Sequence, residues 1–178
     1  MIRLNPMEAR VALSFLADPG DPVLGALLRS CSPADIVAAV SAGSGPRAAL
    51  PAAVHGVPGL ARAFERWRAR LGQVPPPARR AAWERDGMRL LCPGDPEWPA
   101  RLDDLGDARP VILWVRGRVD LRFACLQSVS MVGARAATGY GEHVATELAA
   151  VLAQRGWTVV SGGSKSSHSP AALTMHGP

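Results

Sequence analysis

The sequence lacks the features that would assign it at once to a membrane or secreted class. No run approaches 18 consecutive apolar residues, so no transmembrane helix is predicted. The N-terminal stretch MIRLNPMEAR has neither a long apolar core nor a small-residue cleavage site, which is not the pattern of a signal peptide. A composition of 48% hydrophobic and 20% charged residues is typical of a globular protein. A cytoplasmic protein without membrane contact is therefore expected.

Cysteine and histidine are scarce, and their spacing indicates no metal or nucleophilic site. The three cysteines are odd in number and far apart, which argues against a disulfide framework and against a CxxC metal site. Buried, unreactive thiols are the expected state of Cys31, Cys92 and Cys125. The histidines show no metal-ligand spacing either, so neither a metal nor a cofactor is predicted. These are His55, His143, His168 and His176.

Motifs of nucleotide-binding and hydrolytic enzymes are also missing. The sequence contains no G-x-G-x-x-G fingerprint, no G-K-[ST] of a P-loop and no G-x-S-x-G nucleophile elbow. The acidic residues Asp103, Asp104 and Asp107 are best interpreted as a solvated helix end. We therefore predict a protein that is not an enzyme.

Lysine occurs once, at Lys165, whereas arginine occurs 19 times. Residues 1–85 hold 11 arginines and 6 acidic residues, a net charge of +5, and residues 86–178 are neutral. A basic half favours an anionic partner, with nucleic acid first. The alternative is ordinary solvated arginine, because the preference for Arg over Lys is typical of a GC-rich genome.

The sequence predicts two regions that differ in their secondary structure. Residues 1–86 contain short helices, such as one after Asn5-Pro6, one after Ser32-Pro33 and an amphipathic helix from Leu60, followed by a Pro-rich connection. Residues 87–178 introduce strands. Within Val129–Gly163, a strand, a loop, a helix and a second strand predict a βαβ unit with a parallel pair. The predicted fold class is α/β, with a small helical domain followed by an incomplete Rossmann-like sheet.

The two loops that follow these parallel strands are the candidate site. Ligands of parallel α/β sheets bind beyond the carboxyl ends of the strands, where glycines let a phosphate approach the backbone. Arg135 adds a planar cation suited to phosphate, and Tyr140 could stack on a base. Simple turns and a half-buried Tyr140 ring are the alternatives. The candidates are Gly133, Ala134, Arg135, Ser161, Gly162 and Gly163, with Tyr140, Gly141 and Lys165 as weaker ones.

Residues 87–163 resemble the DNA-processing protein A family, called DprA or Smf, in its actinobacterial form. Members share a Trp-Pro or Tyr-Pro before a Leu-rich turn, a strand ending in Arg-Gly, then Val-Gly-[Ser/Ala]-Arg, Tyr-Gly and Val-Ser-Gly-Gly. The matching positions are Trp98-Pro99, Arg116-Gly117, Val132–Arg135, Tyr140-Gly141 and Val160–Gly163.

The resemblance implies a Rossmann-like protein that binds single-stranded DNA, usually as a homodimer. It also implies that the protein protects incoming strands during natural transformation and loads RecA. Gly133, Ala134 and Arg135 would hold backbone phosphate, with help from Ser161–Gly163.

The sequence departs from the family after Gly163. Where the family continues with Ala-x-Gly-Ile-Asp-x-x-Ala-His, residues 164–178 read SKSSHSPAALTMHGP. From this we predict a divergent tail, a truncated and impaired protein, and a sheet with an unpaired edge. A non-functional remnant is one alternative. A Rossmann-like nucleotide hydrolase is another, although its Pro-Gly-Gly-x-Gly-Thr motif is absent.

Overall fold

The structure is a computed structural model that describes residues 4–133, 138–162 and 173–176. It divides into two compact units: the first runs to Asp95 and continues over Ala100–Gly117, and the second contains Pro96–Pro99 and the chain from Arg118. The predicted boundary between residues 86 and 87 marks the change from helices to strands. As a boundary between domains it stays a prediction.

The helices of the first unit begin at local signals that the sequence displays. The Asn5 side chain accepts a hydrogen bond from the Glu8 amide at 2.8 Å, in a capping box that confirms the predicted helix start. Asp21 and Ser32 cap the next two helices. Proline is the first residue of five of the six helices, which are α1 (Pro6–Leu16), α2 (Pro22–Leu28), α3 (Pro33–Ala42), α4 (Pro46–Ala49), α5 (Leu60–Ala69) and α6 (Pro77–Arg85).

The core of the first unit lies among α1, α2, α3 and α5. The predicted apolar face of α5 is confirmed, since Leu60, Phe64 and Trp67 are all buried. Short 3₁₀ segments at Ala52–Val54, Leu71–Gln73 and Ala100–Ala108 complete this unit, and the last of them contacts α2. Among the described residues no single helix has the length and apolarity to cross a membrane, and only the bent pair α2 and α3 passes that test jointly.

Two strands of the first unit pair with each other and pack on α1. They are β1 (Met88–Leu91) and β2 (Leu113–Arg116), and they are antiparallel. Phe15 of α1 contacts Trp114 of β2 edge-on, with ring centroids 5.9 Å apart, and Trp83 of α6 contacts Trp114 in the same way at 5.3 Å. These strands therefore belong to the helical unit and do not join the parallel pair.

The second unit contains the predicted βαβ arrangement. Its elements are α7 (Leu121–Ala124), β3 (Ser128–Met131), α8 (Gly139–Gln154), β4 (Thr158–Gly162) and β5 (Leu173–His176). Strands β3 and β4 are parallel, and β5 pairs antiparallel with β4. The α/β class is confirmed. In this three-stranded sheet β4 is the central strand, and among the described residues β3 and β5 each pair on one side only, which agrees with the expected unpaired edge.

Candidate functional site

The parallel register brings the ends of β3 and β4 together. Met131, the last residue of β3, pairs with Ser161, and Gly162 ends β4. Gly133 follows β3 by two residues, so the loops after both strands leave the same edge of the sheet. This edge is where a parallel α/β sheet binds ligands.

The two described glycines next to the strand ends, Gly133 and Gly162, are exposed to solvent. A Cβ atom added to Gly133 or to Gly162 would meet no described atom within 4 Å, and neither residue has a positive φ. Neither glycine is therefore required by backbone strain or by crowding from the described protein. Open space above the backbone is compatible with the close approach of a ligand.

Helix α8 starts at the same edge, and its first turn is partly occupied. The hydroxyl of Thr138 accepts a hydrogen bond from the Gly141 amide at 3.2 Å. Gly141 is thus a capping partner, and this amide does not point at a ligand. The carboxylate of Glu142 also lies in the first turn, where it compensates the positive end of the helix dipole.

The Tyr140 ring projects into solvent from the start of α8, with 78% of the residue exposed. The half-buried alternative is therefore wrong, and the ring is accessible to a base. His143, in the same turn, lies on the surface and faces Glu147, with Nε2 3.5 Å from the carboxylate oxygen. Four of the predicted site residues lie outside the described part of the chain, namely Ala134, Arg135, Gly163 and Lys165.

The described residues offer little support for a reactive cysteine, an acidic cluster or a metal site. Burial raises the pKa of the Cys31 and Cys92 thiols, and it also raises the pKa of Cys125, so each thiolate is disfavoured. Asp103 forms an ion pair with Arg109, and their nearest atoms are 2.9 Å apart. Within the described ranges no group of three His, Cys, Asp or Glu side chains could hold a metal ion.

By its geometry the second unit is a Rossmann-like βαβ unit. Exposed glycines lie at the edge of its sheet where such units bind ligands. Comparison with known families shows a more specific similarity. Residues 89–171 match the family model described as DNA recombination-mediator protein A. This part of the chain is therefore similar to that family, which confirms the resemblance found in the sequence. The match continues past Gly163 into the tail that was predicted to diverge.

Two curated relatives from Mycobacterium tuberculosis, strains CDC 1551 / Oshkosh and ATCC 25618 / H37Rv, carry the provisional name DNA processing protein DprA. Each is 44% identical to this chain in an alignment over 90 residues, and the alignment covers 44% of this chain and 23% of the relative. The chain thus spans about a quarter of the length of these relatives. No solved structure was found to match it.

Proposed function

We propose that the chain is a single-stranded DNA-binding protein of DNA uptake and recombination. The observation that carries the proposal is the shared edge set by the Met131–Ser161 register, in a segment that matches a DNA recombination-mediator family. A strand of DNA offers phosphates that can approach Gly133 and Gly162 closely. It also offers bases that can stack on the exposed Tyr140 ring.

Arg135 supplies the positive charge in this proposal. The described part of the edge carries Glu142 and no lysine or arginine, so phosphate binding there needs a cation from one of the neighbouring stretches, residues 134–137 or residues 163–172. Arg135 is the basic residue of the first stretch, and Lys165 is the lysine of the second. Lys165 and Gly163 belong to the proposal as further contacts after β4.

The broader role follows from the resemblance and forms part of the same proposal. The protein would protect single strands, would act with RecA, would work as a homodimer in the cytoplasm and would not be an enzyme. Phosphate release from nucleotides, measured with the purified chain, tests the last statement. Turnover above the rate of a Gly133→Val variant would favour the nucleotide hydrolase instead.

The first prediction concerns Arg135. We expect Arg135→Ala to weaken binding of a fluorescent single-stranded oligonucleotide and to lower the salt slope by about 0.7, the value for one phosphate contact on a single strand. Anisotropy titrations between 50 and 200 mM salt measure both quantities.

Arg155→Ala is the matched control for Arg135→Ala. Arg155 follows α8 and precedes β4, so it lies at the opposite, amino-terminal edge of the parallel pair. It is exposed and carries the same charge. Equal losses in the two variants would show a general charge effect, and unchanged binding in Arg135→Ala would remove this residue from the site.

The second prediction concerns Gly133. Because no described atom lies within 4 Å of an added Cβ, Gly133→Val is expected to change the free energy of unfolding by no more than about 0.5 kcal/mol. The same change fills the space into which a phosphate would fit, and oligonucleotide affinity should fall several-fold. Urea unfolding and anisotropy measure the two effects. Full affinity in a folded variant would contradict the proposed approach to the backbone.

A further inference from the structure

The positive charge of the chain is concentrated in one part of the first unit. Residues 46–85, from the start of α4 to the end of α6, contain eight arginines and two acidic residues, a net charge of +6. The whole chain carries +5, so the remainder is slightly negative. This concentration is separate in the sequence from the ligand edge of the second unit.

Some of these arginines are neutralised locally and some are not. Arg70 forms an ion pair with Asp18 at 2.8 Å, and Arg80 pairs with Glu84 at 3.3 Å. The side chains of Arg47 and Arg62, by contrast, are exposed and form no ion pair or hydrogen bond with any described residue. These two guanidinium groups are therefore exposed and form no ion pair with a described carboxylate.

The two unpaired arginines lie on helices that contact each other. Arg47 is on α4 and Arg62 is on α5, and these helices are in contact. In α5 the buried face contains Leu60, Phe64 and Trp67, and the spacing of a helix places Arg62 on the opposite side. Arg66, one turn further along, is half exposed and pairs with Asp21 at a longer distance of 3.4 Å. We call Arg47, Arg62 and Arg66 the α5 arginine surface.

We propose that the α5 arginine surface binds the phosphodiester backbone of nucleic acid, as a second contact apart from the sheet edge. Guanidinium groups bind phosphate oxygens with two parallel hydrogen bonds, and within the described part of the chain Arg47 and Arg62 form no ion pair that a phosphate would have to displace. An anionic membrane fits less well, because the apolar residues of α5 are buried and leave nothing to insert into lipid. The choice of nucleic acid over another polyanion rests on the proposed function.

The test uses the full chain and the double variant Arg47→Gln/Arg62→Gln. We expect about a tenfold loss of affinity at 50 mM salt. The salt slope should fall by about 1.4 on a single-stranded oligonucleotide and by about 1.8 on the matching duplex, the values for two phosphate contacts. Comparison of the losses measured with the single strand and with the duplex shows which form of nucleic acid the α5 arginine surface binds. The control Arg101→Gln/Arg155→Gln removes the same charge from exposed positions outside both sites.

Substitution of Glu65 is expected to change oligonucleotide affinity in the opposite direction. Glu65 is the acidic residue of α5 and is exposed near Arg62 and Arg66, so Glu65→Gln should strengthen oligonucleotide binding. Equal losses in the two double variants, or unchanged binding in both Arg47→Gln/Arg62→Gln and Glu65→Gln, would overturn the proposal. So would loss of binding to phosphatidylserine vesicles with no effect on oligonucleotides.

Failure of this proposal is distinguishable from failure of the proposed function. If Arg135→Ala weakens binding and Arg47→Gln/Arg62→Gln does not, the sheet edge is the site and the α5 arginine surface is not. If only the double variant weakens binding, the surface is supported and the role of the sheet edge is refuted. Circular dichroism of each variant confirms that the helices remain folded.

Discussion

Replacement of Trp67 by alanine is expected to lower the free energy of unfolding of the first unit by about 3–5 kcal/mol. Only 1% of this residue is exposed, and its ring packs against Phe64 with centroids 5.5 Å apart. The core around it contains residues from α1, α2 and α3, which cannot all close on the space left by an indole ring. Urea unfolding followed by far-ultraviolet circular dichroism measures the change. Circular dichroism is used in place of fluorescence, because removal of a tryptophan itself alters the fluorescence.

Trp67→Phe separates the packing of the ring from its polar atom. The indole Nε1 of Trp67 is buried and has no hydrogen-bond partner among the described residues. An unpaired buried donor costs about 1–3 kcal/mol, so phenylalanine removes a cost while it keeps most of the apolar contact. We expect Trp67→Phe to lose less than half of what Trp67→Ala loses. A loss below about 1 kcal/mol in Trp67→Ala would mean that the α5 face is not the core of this unit.

Gly25→Ala is expected to destabilise the first unit by about 2–3 kcal/mol, although alanine is the better helix former. Gly25 lies inside α2, where alanine would ordinarily gain about 1 kcal/mol. Its Cβ, however, would lie 2.5 Å from the carbonyl carbon of Asp107 and 2.6 Å from its Cα, with the carbonyl oxygen closer still. Backbone atoms cannot rotate away as side-chain atoms can. The crowding therefore outweighs the gain in helix propensity, and Gly25→Ala is expected to be destabilising.

The control for Gly25→Ala is Gly72→Ala. A Cβ at Gly72 would meet no described atom within 4 Å, and its φ is not positive. Alanine there should be neutral or stabilising by up to about 1 kcal/mol, because it restricts the unfolded chain. Parallel urea titrations of both variants measure the difference. A stabilised Gly25→Ala variant would show that the segment Ala100–Ala108 does not pack on α2 as described.

The parts of the fold that were predicted correctly are those with local signals. The start of α1 depends on Asn5, Pro6 and Glu8, which lie next to one another in the sequence. The parallel pairing of β3 and β4 was also predictable, because a strand–helix–strand order permits little else. Pairing between distant segments was not. The contact of β2 with α1 depends on Phe15 and Trp114, which are 99 residues apart and carry no local sign of each other.

Amphipathic patterns predict which residues could be buried, and not whether a partner covers them. Val144, Leu148 and Val151 recur at helical spacing in α8, yet they are 42%, 49% and 44% exposed. The candidate site shows the same limit. Its shared edge followed from strand order, whereas the hydrogen bond between Thr138 and the Gly141 amide depends on where α8 begins, which a glycine-rich loop does not fix.

The prolines at the helix starts also act on the unfolded chain. Pro6, Pro22, Pro33, Pro46 and Pro77 each hold φ close to the helical value before any tertiary contact forms. A compatible proline stabilises a protein by about 0.4–1 kcal/mol, chiefly by removing conformations from the unfolded ensemble. The first unit thus owes part of its stability to the reduced entropy of its disordered state. That contribution appears in no hydrogen bond or buried area of the folded protein.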